Sequence, residues 1–174
     1  NQNQQMICYA NVNSLNLSIA NDKIKKLFPE FNIVHADGFG VFLGSKLLYG
    51  KDGLANRLSG SDLYEKLISD CIKFNYKLFF FGDENETLNR INIKHPQLSI
   101  AGKQNGFEFD TASTINEINQ SVPDILIVGL GTPKQEEWIS RNKQDLKVSV
   151  IISVGDGIKV FSGTKKRGPK LFQK

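Results

Sequence analysis

Residues 124–139 read DILIVGLGTPKQEEWI. Asp124 to Val128 is a β-branched, continuously apolar run, too short for a helix. Gly129 and Gly131 end it, and Pro133 opens an amphipathic segment that runs to Asn142, because proline is well tolerated at the start of a helix. Unbroken apolarity marks a strand buried on both faces, as in a parallel sheet covered by helices. The same order of strand, glycine turn and helix recurs on both sides of this stretch. Strands are predicted at Met6 to Ala10, Asn32 to Ala36, Lys77 to Phe81, Leu98 to Ala101 and Val148 to Val154. Helices are predicted from Ser14 to Phe28, from the Asp37-Gly38 turn to about Leu48, from Ser61 onward, after FFFGDENE (79–86), and from Ser113 to Gln120. The stretch from Leu47 to Leu58, carrying Gly50, Asp52 and Gly53, reads as a loop. Six such units predict an α/β chain: a single Rossmann-like domain with about six mainly parallel strands and helices on both faces.

The bulk composition fits one such domain. The chain has 174 residues, 40% hydrophobic and 23% charged, enough for one sizeable core. No run reaches the ~20 apolar residues of a bilayer span. The start at Asn1, without Met, reads as a trimmed or partly ordered chain. Cys8 and Cys71 sit in apolar runs with no CxxC or Cys/His spacing, which disfavours structural zinc and a disulfide framework and suits a reducing cytoplasm. The formal net charge is +4, yet Lys165, Lys166, Arg167, Lys170 and Lys174 all fall in the last ten residues. The positive excess therefore belongs to the tail, which argues for a solvated end or an anionic surface and against a nucleic-acid groove.

In a parallel sheet, ligands bind where the strands end. Those ends read Asn11-Val12-Asn13, Asp37-Gly38, Gly82-Asp83, Gly102 to Gly106, Gly129 to Pro133 and Gly155-Asp156-Gly157. Glycine permits close backbone approach, and helix N-termini offer N–H groups to phosphate. Glycines also simply make tight turns, so this rim favours a phosphorylated ligand without requiring one. VGLGTPKQEEW (128–138) lacks the third glycine and the early position of a dinucleotide fingerprint, and no P-loop occurs. Gln135 and Glu136 read equally as ordinary first-turn residues, Glu136 being favoured by the helix dipole. Asp37, in HADGFG (35–40), reads as an N-cap or as a general base facing the cleft. Arg57 reads as a phosphate clamp or a surface residue. His35 and His95 are the only histidines, too few for a metal cluster, and no G-x-S-x-G elbow is present.

Five blocks together resemble the WecG/TagA/CpsF glycosyltransferases: ADGFGVFLGSKLLYG (36–50), NRLSGSDLYEKL (56–67), FFFGDENETLNRI (79–91) with AGKQNGF (101–107), DILIVGLGTPKQEEWI, and SVGDGIKVFSGTKKRGPK (153–170). The resemblance covers nearly the whole chain, and its G-x-G-x-P-x-Q-E-x-W block is highly specific. It implies an inverting, metal-independent transfer of an N-acetylhexosamine, of the ManNAc or ManNAcA kind, from a UDP-sugar to a polyprenyl-diphosphate-linked sugar in cell-surface polysaccharide synthesis. No cofactor is implied. By the same resemblance Asp37 is the catalytic base. Asn11, Asn13, Arg57, Gln135 and Glu136 bind substrate, and Gly82, Gly129, Gly131, Pro133, Gly155 and Asp156 shape the nucleotide site. Asn11 stands where the family usually has Thr, which bears on the sugar accepted. The resemblance further implies a domain over 1–163, with 164–174 the beginning of a basic C-terminal appendage that is cut short. It places the protein in the cytoplasm, peripheral to the inner face of the plasma membrane through that appendage, with a homo-oligomer as a further expected partner. The alternative is a non-catalytic nucleotide-sugar binding protein of the same fold.

Overall fold

The computed structural model describes residues 4–57 and 60–165, without the side chain of Ser61. In chain order the elements are β1 (Gln5–Ala10), α1 (Val12–Ala20), α2 (Asp22–Leu27), β2 (Ile33–Ala36), α3 (Phe39–Tyr49), α4 (Gly60–Phe74), β3 (Leu78–Gly82), α5 (Asn85–Lys94), β4 (Ile100–Gln104), α6 (Thr111–Ser121), β5 (Ile125–Gly129), α7 (Lys134–Asn142), β6 (Val150–Ser153) and α8 (Gly157–Ser162). The strands form one sheet in the order β2-β1-β6-β5-β3-β4, and every pairing is parallel. All six carboxyl ends therefore lie along one rim.

The side chains of β3 show why the sheet is covered on both faces. Successive residues of a strand point to opposite sides. Leu78 and Phe80 join a core with Tyr64, Ile68 and Cys71 of α4, Leu88 and Ile91 of α5, and Ile158 and Phe161 of α8. Phe79 and Phe81 join the opposite core with Ile118 of α6 and Trp138 and Ile139 of α7. All five residues of β3 are buried, which explains its unbroken apolar reading. Phe81 is clamped edge-on between Phe109 and Trp138, with both centroids 4.8 Å away.

Three elements differ from the sequence reading. The helix expected from Ser14 to Phe28 is two, because Asn21 ends one and starts the next. Its N–H donates to the Leu17 carbonyl while its side chain accepts from the Lys23 N–H, a local bond that competes with helix continuation. The fourth strand runs two to three residues later than expected. It lies at the sheet edge, half-buried throughout, and so carries no apolar signature, whereas Leu98 is a core residue of the preceding turn. Helix α8 follows the last strand with only six residues, too few for a helical period to be read.

Candidate functional site

Along the rim, a pocket of about 440 Å³ opens over the ends of β1, β2, β5 and β6. Its lining includes Asn11, Asn13, Asp37, Arg57, Gly131, Gly155 and Asp156. Seven of the residues picked from sequence, drawn from segments up to 145 positions apart, thus meet in one hollow. The parallel topology brings them together, since each stands just beyond the carboxyl end of a strand or in the segment leading into α4.

Asp37 follows β2, and its backbone N–H continues the ladder to the Ala10 carbonyl at 2.9 Å. It does not cap the helix it precedes. The N-cap of α3 is Gly38, at φ +91° and without a side-chain cap bond. Instead, Asp37 Oδ1 accepts from the Gly60 N–H at 2.9 Å, at the start of α4. One bond does not exhaust a carboxylate, which has about four lone-pair sites. Arg57 lines the same pocket, its guanidinium carbon 5.9 Å from the Phe39 ring centroid.

Asn11 caps α1 in a reciprocal box. Its side chain accepts from the Ser14 N–H at 2.9 Å, while Ser14 Oγ accepts from the Asn11 N–H at 2.8 Å. Asn11 is therefore a structural cap as well as a wall of the pocket. Asp156 sits at the other side of the mouth, 3.2 Å from Lys165 Nζ and 3.9 Å from Lys159 Nζ.

The remaining sequence-picked residues lie behind the lining. Gln135 and Glu136 occupy the first turn of α7 but are 0% and 2% exposed. Gln135 Oε1 accepts from the Gly155 N–H at 2.8 Å, and its Nε2 donates to Glu136 Oε1 at 2.7 Å. Ser153 Oγ donates to the same Glu136 oxygen at 3.2 Å. Glu136 Oε2 is buried with no hydrogen-bond partner among the described residues. Burial pushes the Glu136 carboxyl above its ordinary value, opposed by the bonds from Gln135, Ser153 and Thr132. Gly82 and Gly129 serve close packing. A Cβ on Gly82 would overlap the Gly129 backbone, and one on Gly129 would strike Ile158 and the Gly155 carbonyl. Pro133 precedes α7 as its N-cap rather than its first residue, after a cis peptide bond.

Thr132, within the Gly129 to Pro133 turn, also lines the pocket, as do Tyr9, Tyr64, Val154 and Lys165, which were not anticipated there. Tyr9 and Val154 sit in apolar strand runs, where period and composition give no sign of a pocket. Tyr64 lies in the helical stripe of α4 and reads as core, which it also is. Lys165 belongs to the basic tail. It is the only one of the five tail cations within the described residues, and its N–H donates to the Lys159 carbonyl at 3.0 Å. A second cavity of about 500 Å³ lies between α7 and the segment after β4, walled by Phe107, Phe109, Leu130 and Trp138. It gathers none of the sequence-picked residues. Among the described residues, no three His, Cys, Asp or Glu side chains come together, and no helix is long and apolar enough to cross a membrane.

Comparison with known proteins adds to this geometry. Residues 1–174 match the family model described as the Glycosyl transferase WecG/TagA/CpsF family. Relatives from Staphylococcus aureus strains NCTC 8325 / PS 47 and MRSA252 are both named N-acetylglucosaminyldiphosphoundecaprenol N-acetyl-beta-D-mannosaminyltransferase. Each is 30% identical over 176 residues, spanning 99% of this chain and 68% of the relative.

Proposed function

The chain belongs to the WecG/TagA/CpsF family of glycosyl transferases, and from that membership we propose the following reaction. An N-acetylhexosamine, of the ManNAc or ManNAcA kind, passes from a UDP-sugar to a polyprenyl-diphosphate-linked sugar, with inversion and without a metal. The observation that carries this reading is the meeting of Asp37 and Arg57 in one pocket at the ends of the strands. The names of the relatives, with their diphosphoundecaprenol-linked acceptor and mannosaminyl product, support the substrate class.

The acceptor hydroxyl oxygen attacks the anomeric carbon as the bond from that carbon to the diphosphate oxygen breaks. Asp37 takes the hydroxyl proton, as a general base must from within hydrogen-bond reach. The electron pair of the broken bond leaves with UDP. Arg57 and the turn from Gly131 to Pro133 face the charge that develops there, a form of preorganised stabilisation. Asn11 and Asn13 supply donors and acceptors to the sugar, and Gly155 and Asp156 border the nucleotide. Behind them, Gln135 and Glu136 hold the wall.

We further propose that the protein sits at the inner face of the plasma membrane. The basic residues from 165 onward approach anionic lipid there, each worth about 1 kcal/mol near the surface. Residues 166–174 lie outside the described structure. A homo-oligomer belongs to the same reading and is supported by the apolar faces of α1 and α3. Association with anionic liposomes that falls as salt rises is the expected behaviour, and salt-independent association contradicts it.

The test of the reaction is incubation with a panel of UDP-N-acetylhexosamines and a short-chain lipid-diphosphate-GlcNAc acceptor, read by mass spectrometry. The expected result is one added N-acetylhexosamine from the manno-configured donor. Turnover of none of the panel contradicts the proposal.

A further inference from the structure

Asp37 is held from outside its own helix. Its Oδ1 accepts from the N–H of Gly60, the first residue of α4, at 2.9 Å. The first N–H groups of a helix have no partner within it, so this amide is free to serve the carboxylate. Where it points depends on how the first turn of α4 is seated, and that turn is braced by Tyr64.

Tyr64 lies one turn along α4 and is 8% exposed. Its ring fills a slot between two residues that lack side chains. A Cβ on Gly60 would lie 3.3 Å from Tyr64 Oη and 3.5 Å from Asp37 Oδ1, and one on Gly157 would lie 2.6 Å from Tyr64 Cε2. The ring also packs on Phe161, with centroids 5.0 Å apart. Its hydroxyl donates to the Val154 carbonyl, just beyond β6, at 3.3 Å. That carbonyl also accepts from the Gly157 N–H at 2.8 Å, so losing the phenol leaves no orphaned group there. Burial pushes the Tyr64 phenol above its ordinary value, which keeps it protonated and able to donate. The first turn of α4 is thus tied on one side to the residue after β2 and on the other to the turn between β6 and α8. In the sheet β1 separates those two strands, and the brace spans it.

We infer that Tyr64 is a positioning residue for the transfer: by tying the first turn of α4 to the β6–α8 turn, it fixes the Gly60 N–H that orients Asp37. The inference rests on the transferase reading above. Tyr64 acts through Gly60 and Asp37 and takes no part in the proton transfer. A general base must lie within hydrogen-bond reach of the proton it removes, and a small misplacement of a reacting group lowers the rate steeply. Donor binding is spread over many contacts and does not depend on that placement. The signature is therefore a fall in turnover without a fall in affinity.

Tyr64→Phe keeps the ring in its slot and removes the tie. Gly60→Ala keeps both the hydroxyl and the N–H, and its new Cβ crowds Tyr64 and Asp37 together. For the wild type and both variants, calorimetry with UDP-N-acetylmannosamine gives the affinity. Mass spectrometry of transfer to a short-chain lipid-diphosphate-GlcNAc acceptor gives kcat, and thermal melts check folding. The expected result for each variant is affinity within about twofold of wild type and kcat about tenfold lower. Wild-type kcat in Tyr64→Phe overturns the inference and leaves the transferase reading standing. A parallel loss of affinity and kcat overturns it too, because Tyr64 then shapes the pocket as a whole. Wild-type kcat in Gly60→Ala also overturns it, because the hydroxyl then acts on substrate directly. Absence of both binding and transfer in the wild type overturns the transferase reading itself, and the role of Tyr64 with it.

Discussion

Glu136 is a costly side chain to bury. Its carboxyl is 2% exposed, faces no Lys or Arg among the described residues, and leaves one oxygen unbonded. Burying a carboxylate without a cation is unfavourable, and burial accordingly raises its pKa. The neighbouring thiol of Cys8 is pushed up to about 12 by burial and by the Glu136 charge. A carboxyl whose folded pKa is raised contributes stability below its ordinary range, and that contribution is lost as pH rises through the folded value. Glu136→Gln retains an oxygen for Gln135 and Ser153 and removes the titration. The melting temperature of the wild type is therefore expected to fall more than that of the variant between about pH 4.5 and pH 8. Parallel profiles for the two proteins contradict this account. None of it was legible from the sequence, where the second and third positions of a helix are ordinarily solvated. Residue identity at Asp37 and Gly155 was informative, because carboxylates and glycines at strand ends carry chemistry or backbone constraint. The burial of Gln135 and Glu136 depends on α7 starting between two adjacent strand ends, which spacing along the chain does not reveal.

At the scale of elements, the central strands and the β2 edge were readable, and the β4 edge was not. β3, β5 and β6 are buried on both faces, so their apolar runs announce them. β4 is an edge, and its position had to come from pairing with β3. The opposite edge carries the other departure from a closed fold. Ile33 and Val34 of β2 point to opposite faces and are both exposed, and α3 has no buried residue at all. Leu47 and Leu48 are each 78% exposed, and Ile19 of α1 is 83% exposed. Val12 and Gly40 touch where α1 and α3 begin, since a Cβ on Gly40 would come within 2.7 Å of Val12 Cγ2. Apolar surface of this kind is rarely left in water when contiguous, which supports the proposed homo-oligomer. Sedimentation of the wild type is expected to show association with rising concentration, and Leu47→Ser with Leu48→Ser to shift the equilibrium toward monomer. A wild type that stays monomeric, or a double variant that associates as before, removes that support.

For the whole molecule, the parallel sheet turns a list of scattered residues into one site. Asn11, Asp37, Arg57, Gly131 and Gly155 are far apart in sequence and converge because every strand ends on the same rim. The family motifs foretold that convergence, and the architecture followed from repeated strand, turn and helix. What they did not foretell is the division of labour within the rim. Asp37, Arg57 and the asparagines face the hollow, while Gln135, Glu136, Gly82 and Gly129 build the wall behind it. The central claim is that this hollow holds a UDP-sugar with Asp37 as the proton acceptor. Its most direct test compares wild type and Asp37→Asn for UDP-sugar affinity and for transfer to the lipid-diphosphate-linked acceptor. The account predicts affinity within a few-fold of wild type and turnover reduced by about 10²–10⁴-fold, the usual worth of a general base. Transfer by Asp37→Asn at the wild-type rate would contradict it.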